Sequence, residues 1–514
     1  MLKLEKQQIL KNVGSSWFAL AINVLVGIFL SPFILHRLGD AAFGIWVLIF
    51  SVTGYYGLFD LGIRSSIIRY VSKHTAAGDH EKLAQFVNTA LFTYTGIGIV
   101  TMALTLGLNT SIERMFHIPP EMHAQARWLL LMVGASVSLG FPLGVFGGMM
   151  EGLQRFYILN WTGTASSLLR AALIVYFMHR GYGLITVALI TVLLPIVFSV
   201  VCGIIVFRLC PVPLGWRYAD RESFRHMATY GGTTFVAIVA AQLRFRTDAV
   251  VLGSMMTAVA ITYFNIGSRM VDYAQNFLSS MAQIFVPMAS QSEATGDAGR
   301  LRKLYIAGNR ACAFTIFPVA AILLILGKDI IRIWVGARYV PHSYPVLVVL
   351  MIPFALTMMQ GASARILYGL GKHRTYAVVT LIEGVANLIL SIALVPALGI
   401  VGDALGTAIP LGFTAIVFLP RHMKKQIGVP VSTFLREAYT LPVLLTLPLV
   451  VTLWLANRFF YPRNLVQLAA ETLAASAIYG VGLLWVYRTN RAFHVTQIAG
   501  LPQPLPLPTG GVDT

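Results

Sequence analysis

Nine charged residues sit where charges are rare. Arg170, Arg244, Arg246, Arg269 and Arg365, with Asp60, Asp248, Asp272 and Glu383, fall within or at the ends of long apolar stretches. A charge at the centre of a membrane-spanning helix costs roughly 2.5–3.5 kcal/mol, so five arginines facing lipid would cost on the order of 15 kcal/mol. They must point inward, to a cavity or to a partner. Arginine suits a phosphate-type anion, because its planar fork donates two parallel hydrogen bonds and never loses its charge. At about 1.5 Å of rise per residue, Arg170, Arg244 and Arg269 lie at similar depth near the middle of their segments. Together with Arg246 and Arg365 they are the candidate binding residues of a cationic cavity.

Local pairing is the competing reading. Arg244 and Asp248 are i,i+4, Arg269 and Asp272 are i,i+3, and Asp60 and Arg64 are i,i+4. Each pair could neutralise itself on its own helix. Arg365 and Glu383 lie in one hairpin and could do likewise. Arg170 has no local acid, which favours a binding role. Arg246 is two residues from Arg244, on another helix face, so at most one of the two faces any single cavity. Asp60, Asp248, Asp272 and Glu383 are charge partners or, alternatively, sites of coupling to H⁺ or Na⁺. No catalytic set and no metal site is expected: the 11 His lie in loops or at segment ends, and the 3 Cys fit no ligand spacing.

The elements that hold these residues follow from composition. The chain has 514 residues, 57% of them hydrophobic and 11% charged, with a mean hydropathy of +0.74. Soluble domains carry about 25% charged residues, which excludes an ordinary water-facing surface. Apolar runs of about 20 residues, the length of a transmembrane helix, recur from residue 13 to residue 487 and predict fourteen spans. The fold class is therefore all-α and polytopic. The net charge of +18 needs no nucleic-acid partner, since Lys and Arg gather in cytoplasmic loops of membrane proteins. With the N-terminus inside, such loops hold more than twice the Lys and Arg of the opposite side, so both termini are expected in the cytoplasm.

An internal repeat organises the spans. Gly14-Ser15-Ser16-Trp17 returns 218 positions on as Gly232-Thr233-Thr234-Phe235, and Ala76–Leu83 returns at the same offset as Ala294–Leu301. Gly152-Leu153-Gln154-Arg155 returns 217 on as Gly369-Leu370-Gly371-Lys372. The expected organisation is a six-helix lobe over 1–207, a cytoplasmic linker over 208–228 and a second six-helix lobe over 229–420. Two further helices occupy 421–487, and a Pro-rich disordered tail 488–514. The linker carries Arg217, Arg221 and Arg225 and should lie along anionic headgroups. Gly140, Gly144, Gly148 and Gly152 form a stripe read as close packing or, alternatively, as a sliding surface. Pro142, Pro195, Pro287, Pro353 and Pro410 are candidate hinges.

Several motifs resemble a known family. Leu38-Gly39-Asp40-Ala41-Ala42-Phe43-Gly44-Ile45-Trp46, Phe59-Asp60-Leu61-Gly62, Trp334-Val335-Gly336, Tyr368–Lys372 and Leu394–Gly406 are similar to the Wzx-type bacterial polysaccharide flippases. Their superfamily also holds the MATE drug exporters and the lipid II flippase. The resemblance implies a V-shaped pair of six-helix lobes working by alternating access in the inner membrane. Its cargo would be a polyprenyl-pyrophosphate-linked oligosaccharide for surface polysaccharide biosynthesis, with no cofactor, and a glycan polymerase or other such machinery as partner.

Two other classes compete. A cation-coupled exporter of organic cations would want an acidic cavity, and drug-exporting relatives resemble one another in an acid within the first helix. Residues 13–35 contain none, only Asn23. A membrane enzyme would need external loops and paired carboxylates, and no such loop exceeds about 20 residues.

Overall fold

The computed structural model describes residues 2–459 and 461–488, apart from the side chains of residues 2–10, 13, 230–234, 236–237, 240–241, 244–245 and 487. The expected tail therefore lies outside the described residues beyond Arg488. The described chain is helix joined by short turns, with no strand among the described residues. Lipid offers no hydrogen bonds, so each span must close its own backbone pairs.

Among the described residues, ten helices are long and apolar enough to cross a membrane, against fourteen expected segments. One of the ten, Arg374–Ile427, covers two expected segments. Three more expected segments fold as the helices Phe156–His179, Arg221–Met255 and Ala258–Ala282 but are too polar to be counted with the ten. These three carry Arg170, Arg244, Arg246, Asp248, Arg269 and Asp272. Intramembrane polarity is thus concentrated on a few helices. The protein is a multi-pass helical membrane protein.

The chain divides into two compact units. The first holds Met1–Ile266 and Thr380–Thr407. Its core is Ile67, Val71, Leu83, Phe86, Val87, Val145 and Met149, where the His80–Asn109 helix packs on His123–Gly152, which in turn packs on Leu184–Leu209. The second holds Gly267–Val379 and Ala408–Thr514. There the Ala298–Trp334 helix is the central post, bearing Val340–Met358 and Val431–Phe459. Tyr305 stacks on Phe434 with ring centroids 4.4 Å apart, and Tyr479 donates to the Phe314 carbonyl at 2.7 Å. The two extra C-terminal helices are fastened to this post.

Local geometry repeats with the sequence. Gly78 and Gly296, 218 positions apart, have φ of 68° and 64°. The following aspartates cap helices alike: Asp79 accepts from the Lys82 N–H at 3.0 Å and Asp297 from the Arg300 N–H at 2.8 Å. Gly181 and Gly399, at the same offset, have φ of 86° and 59°.

The glycine stripe divides in two. A Cβ on Gly148 would lie 2.8 Å from Ile67 and one on Gly152 2.9 Å from Val71, whereas Gly140 and Gly144 have nothing within 4 Å. Only the C-terminal half of the stripe is a packing surface. Pro142, Pro195, Pro353 and Pro410 lie inside helices that continue through them.

Candidate functional site

Charged and polar side chains of the first unit gather around the Arg221–Met255 helix. Thr407 Oγ1 lies 3.1 Å from Asp248 Oδ1 and 3.2 Å from Asn387 Oδ1. Ser391 Oγ lies 3.0 Å from the same Asn387 oxygen and 3.3 Å from the Asp403 carbonyl. Asn387 and Ser391 are i,i+4 on Arg374–Leu398, and Asp403 and Thr407 are i,i+4 on Ile400–Phe413. Each pair therefore shares a helix face. Gly406 lets the two helices close, because a Cβ there would overlap Ser391.

Asp403 is the exceptional member. Its side chain is 0% exposed, and neither carboxylate oxygen has a hydrogen-bond donor. A buried ionised carboxylate without a donor is untenable, so this group must be neutralised by a proton or by a bound cation. The surroundings suit either. Asp248, the Asn387 amide and the Thr407 and Ser391 hydroxyls supply oxygens, the ligand type that hard cations prefer. Asp403, Asn387, Ser391 and Thr407 were missing from the candidates drawn from sequence. The available signal was the two i,i+4 polar pairs on otherwise apolar helices.

The predicted cations fall as follows. Arg246 is exposed, and its helix runs beside Tyr55, whose hydroxyl lies 3.0 Å from Thr247 Oγ1. Arg170 is half-buried, and its Nε has no hydrogen-bond partner. It stands one turn from Ser167, which donates to Asn23 Oδ1 at 2.7 Å. The side chain of Arg244 lies outside the described residues. In the second unit Arg269 is exposed, Asp272 half-buried and Arg365 half-buried. Glu383 belongs to the first unit and is 5% exposed.

Spacing misplaced one pair. Arg64 turns its guanidinium to Glu151, at 2.6 Å, rather than to Asp60. Asp60 Oδ1 instead accepts from the Tyr94 hydroxyl and, at 3.4 Å, from the Arg64 backbone N–H. The cause is the left-handed turn at Leu61 and Gly62, which breaks the helical register that an i,i+4 pair requires. Among the described residues, no group of three or more His, Cys, Asp or Glu is placed to hold a metal ion.

Residues 9–293 match the family model described as polysaccharide biosynthesis protein. The chain belongs to this family. Among relatives of this family member is the "Uncharacterized membrane protein EpsK" of Bacillus subtilis, 23% identical over 434 residues, covering 83% of this chain and 85% of that protein. The "Putative O-antigen transporter" of Shigella flexneri is 21% identical over 410 residues, covering 80% and 96%. Solved structures share the fold. The lipid II flippase MurJ, in its inward closed conformation, aligns with a TM-score of 0.72 at 16% identity, covering 94% of this chain and 100% of that one. An inward-facing MATE multidrug transporter aligns with a TM-score of 0.67 at 15% identity, covering 82% and 96%.

Proposed function

We propose that this polysaccharide-family protein is a flippase. It carries a polyprenyl-pyrophosphate-linked oligosaccharide from the inner to the outer leaflet of the cytoplasmic membrane, by alternating access of two six-helix repeats. Its termini lie in the cytoplasm, and the delivered oligosaccharide serves surface polysaccharide synthesis, where a glycan polymerase would consume it. It is a transporter, not an enzyme. Support comes from the family, from relatives named "Putative O-antigen transporter" and "Probable low-salt glycan biosynthesis flippase Agl15", and from the fold shared with a lipid II flippase.

One observation carries the mechanism. The Arg221–Met255 helix holds an exposed cation, Arg246, and, two residues on, Asp248 of the buried acidic cluster. Arg246 offers the anionic cargo a stabilisation that water would otherwise supply. The Asp248–Asp403 cluster is the coupling site, loading a proton or a monovalent cation. A single helix links the two. Moving about two negative charges outward across an inside-negative potential of 100 mV gains roughly 4–5 kcal/mol, and the coupling ion adds to that.

The MATE likeness keeps a second reading, a cation-coupled exporter of organic cations. The cationic residues of the membrane helices argue against a cationic cargo.

The decisive experiment is made on a deletion strain. Extracted lipids should show accumulated polyprenyl-pyrophosphate oligosaccharide and cells should lose surface glycan, both restored by the wild-type gene. Normal lipid pools together with raised drug sensitivity would overturn the flippase reading and establish the exporter.

A further inference from the structure

The Asp40–Gly54 helix does not end in a loop. It tightens into a 3₁₀ segment, Tyr55–Asp60, alongside the Arg221–Met255 helix. Two glycines mark the contact. A Cβ on Gly54 would lie 2.9 Å from Arg246 Nε, 3.1 Å from its Cζ and 3.2 Å from its Cδ. A Cβ on Gly57 would lie 2.8 Å from Gln242 Nε2. The side chains of Arg246 and Gln242 are thus laid directly on the backbone of the tightened turn.

The two periodicities match. In a 3₁₀ helix, residues three apart eclipse one another, about 6 Å apart along the axis. In an α-helix, residues four apart share a face, also about 6 Å apart. Gly54 and Gly57 therefore line one face of the turn, and Gln242 and Arg246 line one face of the facing helix, in antiparallel order. An α-helical turn at 54–57 would leave the second glycine about 60° round the axis and only about 4.5 Å along it, a poorer match to the facing pair. The local switch in helix type lines the two bare backbone positions up with the two polar side chains.

We propose that Gly54 and Gly57 are positioning residues: they form a cradle that fixes Arg246 and Gln242 as a paired donor set for a phosphate oxygen of the cargo. The inference rests on the flippase reading and extends it to residues with no functional group of their own. Arg246 supplies the charge and the planar fork, and Gln242 supplies a neutral N–H one helical turn away. Any side chain at either glycine displaces the flexible end of its partner rather than backbone. The helix packing survives such a change while the donor geometry does not.

The test uses the full-length protein purified in detergent, with farnesyl pyrophosphate as probe and farnesol as control. Wild-type protein should bind the pyrophosphate and not the alcohol. Gly54→Ala should weaken that binding about tenfold without lowering the unfolding temperature. In an Arg246→Gln background, where the guanidinium is already gone, adding Gly54→Ala should cost nothing further. Gly57→Ala should behave likewise against Gln242→Leu.

Unchanged binding by Gly54→Ala and Gly57→Ala would overturn the cradle while leaving the flippase reading intact. So would a defect that adds in full to Arg246→Gln, or loss of fold in both glycine variants, since either would make these glycines plain packing residues. Wild-type protein that does not tell farnesyl pyrophosphate from farnesol would overturn the cradle and the flippase reading together.

Discussion

Thr407 Oγ1 stands 3.1 Å from Asp248 Oδ1, on the turn of the Arg221–Met255 helix that also carries Arg246. The hydroxyl also lies within reach of Asn387, so one proton serves two acceptors. The hydrogen bonds do not close on themselves in this cluster: Asp403 receives none, and Asn387 Nδ2 makes none. A cation or a proton is what the arrangement lacks, and its loading must be felt by Asp248, hence by the helix that presents Arg246.

Replacing Asp403 with Asn tests that coupling. The amide keeps the shape, removes the charge and brings its own donors to a neighbourhood rich in oxygens. Stability should rise by about 1 kcal/mol, the scale of one recovered buried hydrogen bond. Transport in proteoliposomes should lose its response to an imposed proton or sodium gradient by a factor of roughly 5–150, the usual range of coupling free energies. A variant that keeps the wild-type response to both gradients would remove Asp403 from the coupling role.

The glycine stripe yields a contrast within one helix. Gly152→Ala would drive a methyl against Val71 and the Ile68 carbonyl, an overpacking that costs about 1–3 kcal/mol. Gly144→Ala meets nothing within 4 Å and should gain about 0.5–1 kcal/mol from the stiffer helix. Thermal unfolding of the two variants beside the wild type decides it. Equal destabilisation would mean that the open side of Gly144 is filled during the transport cycle.

Much of the fold was legible because membrane helices advertise themselves. A bilayer demands long apolar runs, and the caps at Asp79 and Asp297 and the turns at Gly78 and Gly296 are local signals repeated at a fixed offset. The cationic candidates were legible for the same reason, as charges out of place. The acidic cluster was not. Asp403 falls near the start of an apolar run, and the i,i+4 spacings of Asn387 with Ser391 and of Asp403 with Thr407 show only that each pair shares a helix; only packing brings them to Asp248, at least 139 positions away in sequence. The partner of Arg64 was missed likewise, since Glu151 is 87 residues distant. Chain spacing reports neighbours on one helix and is silent on neighbours between helices.

The linker offers a pH test. Asp220 caps the Arg221–Met255 helix by accepting from the Ser223 N–H at 2.9 Å, and this bond holds its carboxyl below the ordinary value of 3.8. A carboxyl depressed in the folded state contributes stability that is fully present above its unfolded value and is lost as pH falls through the folded one. Asp220→Ala should therefore lower the unfolding temperature at pH 7, by an amount matching the roughly 0.5–2 kcal/mol of a lost cap. The gap between variant and wild type should close as pH drops below about 4. A gap that stays constant down to pH 2 would show that the carboxylate charge plays no part in the cap.

The Arg64–Glu151 pair closes at 2.6 Å, yet its side chains are 49% and 18% exposed. An ion pair so accessible is worth about 0.2–1 kcal/mol to folding, so neither Arg64→Ala nor Glu151→Ala should alter the unfolding temperature much. Its position argues for another use. Arg64 follows the left-handed turn at Leu61 and Gly62, and Glu151 lies at the end of the His123–Gly152 helix, so the pair latches the start of the Ile63–Ala77 helix to the end of a neighbouring one. If the latch holds one state of the transport cycle, single variants should change the transport rate several-fold at nearly constant stability. The charge-swapped double variant Arg64→Glu with Glu151→Arg should then return the rate toward wild type. A swap no better than the single variants, in a protein of unchanged stability, would show that the rate depends on the individual charges and not on their contact.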